Sequence, residues 1–483
     1  MATASASASP LLRQEPAGAH TWVLVAAGLV SFAAACGISL ALGELEALYI
    51  TTAFALCIAV LYDFRVGVVA LLLALPLQDS NLFPHALLGI TGLNPQNLVL
   101  AATLASYVLH GRPGHPGRFA PRPLVWLYVV PIAVAAAVGA GHAHQIMPYF
   151  REVEVVHFDD AFGYLRDLLF KPMLMVVLAL LLGAAAAVAQ KPERFLVPIA
   201  LSVWLIAVLE IGFVIVSGVK LGYLASASAR EFFTEIGLHA NNLGRLFATA
   251  YALLLFPWWE TRRPGLKLFL FLTMGVLSFA LLLTFSRGAF VGFLLVNVLF
   301  LMWKFNMKTL GLAALVIAVG VALAPGFVYD RVTVGFDTGE ADDISAGRVE
   351  GIWLPLLPVL FESPFWGSGL LSTTWSLPMT AGSMLPVTHP HNAYLETLLD
   401  MGLIGLGLLL AFYWHVWRGF RALGSNAWLS PEMRGFFQGG SAALACFFVT
   451  GMAGSSLRPE PEFGYLWLAI GMMYGVAARK PAG

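Results

Sequence analysis

Apolar residues do not alternate with polar ones along this chain; they run in solid blocks. Apolar stretches of roughly 16–24 residues recur from residue 21 to residue 478, and about 17–25 apolar residues carry a helix across a bilayer. The pattern predicts about 12–14 spans, over 21–42, 47–62, 66–78, 97–110, 124–141, 170–189, 196–217, 243–258, 268–286, 289–303, 309–325, 392–417, 435–453 and 463–478. Barrel strands would alternate their polarity instead. The expected fold class is therefore all-α, a polytopic transmembrane helical bundle. One block opens unusually: "HPHNAYLETLLDMGLIG" (389–405) places His389, His391 and Asn392 at the mouth of an apolar run.

Composition agrees with this reading. The chain is 59% hydrophobic and 11% charged, where a soluble protein carries about 25% charged residues. Cys36, Cys57 and Cys446 fall inside apolar runs, at no metal spacing, and read as packing residues. The first run continues past "SFAAAC" to Leu42 and lacks a strongly basic start, so it reads as a span rather than a cleaved leader.

Charge sets the expected topology. With the N-terminus in the cytoplasm, the cytoplasmic segments hold 17 of the 27 basic residues and five of the 27 acidic ones. That is the positive-inside pattern, with both termini cytoplasmic. Basic loops of this kind face anionic lipid headgroups rather than nucleic acid. No G-x-x-x-x-G-K-[ST] loop occurs, which excludes an ATP-driven pump within this chain. The polar segments 79–96, 142–169, 218–242 and 326–391 fall on the outer side, and the last is expected to be a large periplasmic loop carrying short helices.

Several outer-side arginines sit against apolar runs. Arg287 lies in "LLLTFSRGAFVGF" and Arg245 in "GLHANNLGRLFA". Ionisable groups at such depth usually face a bundle interior or a watery cavity; snorkelling to the surface is the alternative. Guanidinium groups bind phosphate in bidentate fashion. Beyond an inner membrane, accessible phosphate belongs to lipids, including a polyprenyl diphosphate that carries a glycan. A departing lipid diphosphate needs its growing charge stabilised, which fixed arginines supply. The attacking hydroxyl needs a base, and histidine titrates in the right range. Asn392 is suited to cap the helix that follows, which sets His391 in or beside its first turn. His389 reads as a loop residue, and the intervening Pro390 disfavours a shared metal site. "GEADD" (339–343) reads as a divalent-cation candidate or a solvated loop. "FDDAFGYLRD" (158–167) reads as an amphipathic outer helix from which Arg166 can join the site.

His391–Asn392, nine residues, then Gly402-x-x-Gly405 resembles the H-[NSQ]-x9-G-x-x-G signature of the bacterial O-antigen ligase family, part of a larger group of O-antigen polymerases and O-linked oligosaccharyltransferases with a GT-C-type membrane fold. "TFSRGAF" (284–290) resembles its Ser-Arg-Gly at the outer end of a span. "GRVEGIWLPLLPVLFESPFWGSGL" (347–370) resembles its Arg-x4-Trp segment, and "HANNLGRLFA" (239–248) a further span start. The resemblance covers roughly 237–453. Together with the topology above, this divides the chain into a cytoplasmic tail 1–20, N-terminal spans 21–236, a ligase-like region 237–453 that includes the loop 326–391, and a last span and cytoplasmic C-terminus 454–483.

By that resemblance, Arg287 and Arg348 hold the diphosphate of an undecaprenyl-diphosphate-linked glycan, and His391 activates or orients the acceptor hydroxyl. Transfer would proceed with inversion, with no metal and no cofactor. Arg245 and Arg166 are further phosphate candidates, with Asn392 and Tyr394 beside them. Gly402 and Gly405 would allow close helix packing. Trp353, Trp366 and Trp375 would stack on sugars or anchor at the interface. The acceptor is lipid A–core in a ligase, and another lipid-linked glycan in a polymerase of O-antigen or exopolysaccharide. A flippase or transporter without chemistry is the reading of another class; Glu210, inside a span, is the feature that favours it.

Overall fold

The computed structural model describes residues 46–77, 80, 84, 86–87, 90–111, 117–153, 155–226, 228–307, 340–381, 385, 387–454 and 456–479, with isolated positions between 30 and 41 and between 310 and 333. The expected spans 21–42 and 309–325 lie almost wholly outside these residues. The protein is all-α as expected. Among the described residues the extended structure is one antiparallel hairpin, Ala86–Leu87 with Ile90–Thr91. The chain divides into two compact units, Met1–Leu71 with Phe83–Arg112, and Leu72–Leu82 with Pro113–Gly483.

The first unit contains α1 (Glu46–Tyr62), most of α2 (Phe64–Ala74) and α3 (Pro95–Ser106). Asn94 caps α3 by accepting the Asn97 N–H at 2.7 Å, and Pro95 occupies the first helical position, where its missing N–H costs nothing. The Ser106 hydroxyl donates to the Leu61 carbonyl at 3.3 Å, and Phe64 meets Tyr107 edge-on at 5.5 Å.

The second unit holds α4 (Arg122–Ala140), α5 (Ala161–Val188), α6 (Pro192–Ser217), α7 (Ala240–Glu260), α8 (Pro264–Leu283), α9 (Arg287–Trp303), α10 (Ala393–Gly424), α11 (Pro431–Gly451) and α12 (Gly464–Ala477). Five of these, α4, α5, α6, α8 and α10, are long and apolar enough to cross a membrane. The stretch 158–167, read as an amphipathic outer helix, forms the beginning of α5. Asp160 starts it by accepting the Gly163 N–H at 2.7 Å, and a π-turn over Arg166–Phe170 leads into Pro172, which has no N–H to donate.

Close backbone approach holds the bundle together. A Cβ on Gly471 would collide with the Ala179 carbonyl, and one on Gly475 with the Gly183 carbonyl, so α5 and α12 touch through their main chains. Gly435 and Gly439 of α11 lie likewise against the backbone of α7 at Phe256 and Ala252. In a lipid solvent, where apolar burial offers little drive, such contacts supply the attraction between helices.

Three helices share one direction. Lys304 after α9 pairs with Glu260 at the end of α7, and Arg421 of α10 lies over the Trp303 ring of α9 at 5.1 Å. The C-terminal ends of α7, α9 and α10 therefore lie together. Their N-terminal ends, at His239, Ser286 and Asn392, face the opposite way.

Replacing Gly471 by Leu is expected to separate α5 from α12. The expected outcome is a lower unfolding temperature of the purified protein and loss of its monodisperse gel-filtration peak; an unchanged melting curve contradicts this account of the interface.

Candidate functional site

The site is built where α7, α9 and α10 begin. Each start is fixed by a side chain. His239 Nδ1 accepts the Asn241 N–H at 3.1 Å, Ser286 Oγ accepts the Ala289 N–H at 3.4 Å, and Asn392 Oδ1 accepts from Tyr394 and Leu395 at 3.1 and 3.2 Å. Gly244 lets α7 close on the 284–289 turn, since a Cβ there would lie 2.6 Å from the Ala289 Cβ. This brings Arg245 of α7 and Arg287, the first residue of α9, to one place, where both act on the Arg348 guanidinium. Helix N-termini carry partial positive charge, so three of them converging with guanidinium groups form a strongly anion-seeking end.

His391 sits just before α10 with φ +50°, in the left-handed region that a histidine seldom adopts. Two bonds hold the turn. The His391 N–H donates to His389 Nδ1 at 3.3 Å, and the Trp353 indole N–H donates to the Pro390 carbonyl at 2.8 Å. The two imidazoles meet edge-on at 4.1 Å. Burial, with the positive fields of Arg245, Arg348, Arg458 and His239, pushes the His389 pKa down to about 4. Burial, His389, Arg348, Arg245 and His239 push that of His391 down to about 3. Both rings are neutral at physiological pH, and the bond into His389 Nδ1 requires that nitrogen to be unprotonated.

Arg348 lies where the Ala341–Ser345 turn meets a π-turn over Val349–Trp353. Ser345 Oγ accepts its backbone N–H at 3.1 Å. Burial and the guanidinium groups of Arg287 and Arg245 push the Arg348 pKa down. No carboxylate among the described residues lies within ion-pair distance of its side chain. Its environment stabilises charge less than water does, and a bound anion would relieve that.

Two other arginines are compensated. Arg245 donates to the buried Glu462 at 2.9 Å, and Arg458 donates to the buried Glu396 of α10 at 3.2 Å and to Ser456 Oγ at 3.0 Å. Burial acts to lower the Arg458 pKa, but the carboxylates of Glu396, Glu460 and Asp400 outweigh it and hold it up.

Below this cap, α10 breaks. Gly402 has φ +63° and ψ −170°, and a Cβ on it would strike the Phe365 backbone. The segment 363–372 fills the gap. The N–H groups of Leu403 and Ile404 donate to the carbonyls of Pro364 and Phe365 at 2.9 and 3.1 Å. The carbonyls of Leu399 and Asp400 accept from Ser368 and Gly369 at 2.9 and 3.0 Å. The Asp400 carboxylate accepts the N–H groups of Leu371 and Ser372 and the Ser372 hydroxyl. Gly402 therefore opens the helix to a loop, where the sequence suggested only helix packing; its left-handed backbone and the loop's contact are what demand glycine. Gly405 lies against the Met401 side chain across the same break.

Of the seven residues expected at the site, His391, Arg287, Arg348 and Arg245 fall into one electrostatic cluster. Asn392 adjoins it but serves as a helix cap. Tyr394 donates its hydroxyl to the Phe448 carbonyl at 2.7 Å, tying α10 to α11. Arg166 belongs to a different, half-exposed network with Asp167 and Lys171. Asp342 of "GEADD" accepts the Glu350 N–H at 2.9 Å, serving the backbone. Trp353 is committed to Pro390, Trp375 stacks on His142 at 5.4 Å, and Trp366 is 72% exposed. Residue-by-residue reading missed His239 and the ion partners Arg458, Glu396 and Glu462. The signal for Arg458 and Glu462 was present in "LRPEPEF" (457–463), three charges packed between two apolar runs.

The architecture defines the class: a polytopic helical membrane protein with a cationic site at one end of its bundle. Residues 269–410 match the family model described as O-Antigen ligase, and over that stretch the chain carries an O-antigen ligase-like domain. The match contains Arg287, Arg348, His391 and the two glycines of the motif. Arg245 and His239 lie outside it, although the resemblance was expected to extend down to 237, and Arg458 lies beyond both. No curated protein matches the chain. The matched family points to a glycosyltransferase of the ligase or polymerase kind.

Two outcomes test the geometry. Gly402→Ala forces a side chain into the left-handed region, at a cost of about 1–3 kcal/mol, and pushes back the 363–372 loop; its unfolding midpoint should drop. Acid supplies the second. A proton binds His389 and His391 more weakly in the folded chain than in the unfolded one, where the pKa is about 6.5. Their contribution to stability is complete above about pH 6.5 and is lost as pH falls toward the folded values of about 4 and about 3. The loss of melting temperature on acidification should therefore be smaller in His389→Gln/His391→Gln than in the parent.

Proposed function

We propose that this protein transfers a glycan from an undecaprenyl diphosphate carrier to an acceptor hydroxyl at the periplasmic face of the bacterial inner membrane, as an O-antigen ligase-like enzyme. The observation that carries this reading is the left-handed turn at His391, set beside Arg348 and Arg245 with Arg287 acting on Arg348 in turn, where three helices begin.

The acceptor oxygen attacks the anomeric carbon from the side opposite the diphosphate. A new C–O bond forms, the bond from the anomeric carbon to the phosphate oxygen breaks, and the configuration inverts. Arg348 and Arg287 meet the negative charge that grows on the departing diphosphate; such preorganised charge is worth most where water is excluded. His391 takes the acceptor's proton, which its basicity, lowered by burial and the surrounding cations, permits only once the bound diphosphate offsets those cations. Arg245, tied to Glu462, adds field and rigidity rather than a direct grip. The segment 363–372 and the Trp353 bond to Pro390 keep the imidazole in place.

A polymerase of lipid-linked repeat units uses the same chemistry with a different acceptor. A transporter reading rests on Glu210 of α6, whose two carboxylate oxygens are buried with no hydrogen-bond partner among the described residues. It leaves the cationic end of the bundle without a purpose.

Arg287→Ala and His391→Ala should each lower transfer by about a hundredfold or more while the protein still inserts and folds. Arg348→Lys should also be impaired, because an ammonium cannot make the bidentate contact. The measurement is the host's surface polysaccharide after gene deletion and complementation. Near-parental glycan in all three variants rules the reading out. Long polymer left on carrier lipid after deletion indicates a ligase, and accumulated single repeat units indicate a polymerase.

A further inference from the structure

The chain that repairs the break in α10 carries an apolar surface of its own. Residues 354–361 read "LPLLPVLF", an unbroken apolar run between Glu350 and Glu362. They form most of a short apolar helical segment, Val349–Phe361, which starts directly after Arg348. Ile352, Leu356 and Val359 are buried against the protein. Leu354, Leu357 and Phe361, at helical spacing on the other side, are exposed, Phe361 at 81%. Phe365 and Trp366 follow and are exposed as well. A helix that is apolar all round is buried all round, yet the protein covers only one side of this one.

The place of this surface on the bundle points to what covers the other side. Before Gly402, every residue of α10 is buried or half-buried. From Leu403 onward the exposed positions include Leu403, Gly407, Leu410, Trp414 and Arg418, one stripe along a helix apolar enough to cross a membrane. That stripe is the lipid-facing side of α10. From Leu403 to Arg418 it measures about 22 Å at 1.5 Å per residue, short of a hydrocarbon core of about 30 Å. At the Leu403 end, the N–H groups of Leu403 and Ile404 donate to the carbonyls of Pro364 and Phe365, so the exposed Phe365 and Trp366 adjoin the stripe directly. The missing length of roughly 8 Å matches the depth of about 5–10 Å to which an interfacial helix sinks its apolar face. Tryptophan gathers at this level, and the exposed Glu350 and Glu362 bracket the apolar run with charge.

We propose that Val349–Phe361 and the turn Pro364–Trp366 lie in the boundary of the bilayer leaflet on the side of the cationic cluster, with Leu354, Leu357, Phe361, Phe365 and Trp366 among acyl chains and Glu350 and Glu362 at the headgroups. The partner of this surface is the lipid bilayer itself. The segment thereby leaves the water-facing loop that the sequence predicts over 326–391. Arg348, the residue before the helix, is held at headgroup depth whatever reaction the cluster performs.

The test places the full-length protein in phosphatidylcholine nanodiscs that contain a phosphatidylcholine with a diazirine on its acyl chain. After photolysis, peptide mass spectrometry should find lipid adducts on 354–366 as well as on the reference stripe Leu403–Trp414. Adducts on the stripe with none on 354–366 overturn the proposal, whether water or a second copy of the chain covers the patch; the mass of the particle tells these two apart. Cysteine reactivity gives a second readout. In nanodiscs, Phe361→Cys and Phe365→Cys should react with a membrane-impermeant maleimide about tenfold or more slowly than Asp159→Cys, whose parent side chain is 90% exposed, because a thiol among acyl chains neither ionises nor meets the reagent. Rates are taken after subtracting the parent's own reaction at Cys36, Cys57 and Cys446. Denaturing detergent should erase the difference. Equal rates in nanodiscs also overturn the proposal. Gel filtration checks that the variants fold; should one fail, photolabelling of the parent decides alone.

Discussion

A helix that breaks inside an apolar bundle must find partners for the backbone groups it frees, because no water is there to take them. That constraint organises the half of this protein that carries the cationic cluster. At Gly402 the ladder of α10 stops, and the chain at 363–372 supplies donors to Leu399 and Asp400 and acceptors to Leu403 and Ile404. The break and the loop define each other. Because the loop continues the segment that carries Arg348 and Trp353, the same bonds that repair the helix also deliver the arginine to the histidine turn.

Charge is balanced with similar economy. Four guanidinium groups and three imidazoles influence one another at the start of α7, α9 and α10, yet buried carboxylates neutralise two of the four: Glu462 takes Arg245 and Glu396 takes Arg458. Truncating one member of such a buried pair strands the other and is far costlier than never having the pair. The pairs stiffen the wall of the site, and the depressed Arg348 and His391 within it register the positive field that remains. The imidazole stays neutral in that field, the state in which it can accept a proton. The field that lowers its basicity is also the one that an anionic donor would cancel.

The opposite ends of these helices have a different composition for the same electrostatic reason. Their C-terminal poles are negative, and there the chain places Lys304, Arg418 and Arg421 together with tryptophans. One parallel bundle of helix dipoles thus gives the molecule two polar ends of opposite dipole sign.

The sequence by itself determined that the fold is helical and membrane-spanning, because solid apolar blocks permit nothing else, and it located the cap at Asn392. Asn392 acts through neighbours two or three residues away, so its role is readable from local order. It also marked Arg287, Arg348 and His391 through a motif that the family match contains. Only the tertiary structure decided that Gly402 is a break rather than a packing position, since its clash is with Phe365, far back along the chain. Only it could separate Arg245, buried against Glu462, from Arg166, which stays in its own half-exposed ion pair. It alone turned His389, His239 and Arg458 from loop residues into members of one cluster. Long-range pairing in three dimensions leaves no periodicity or local spacing in a sequence, and the charges that matter most here meet across distances of 60 to more than 200 residues.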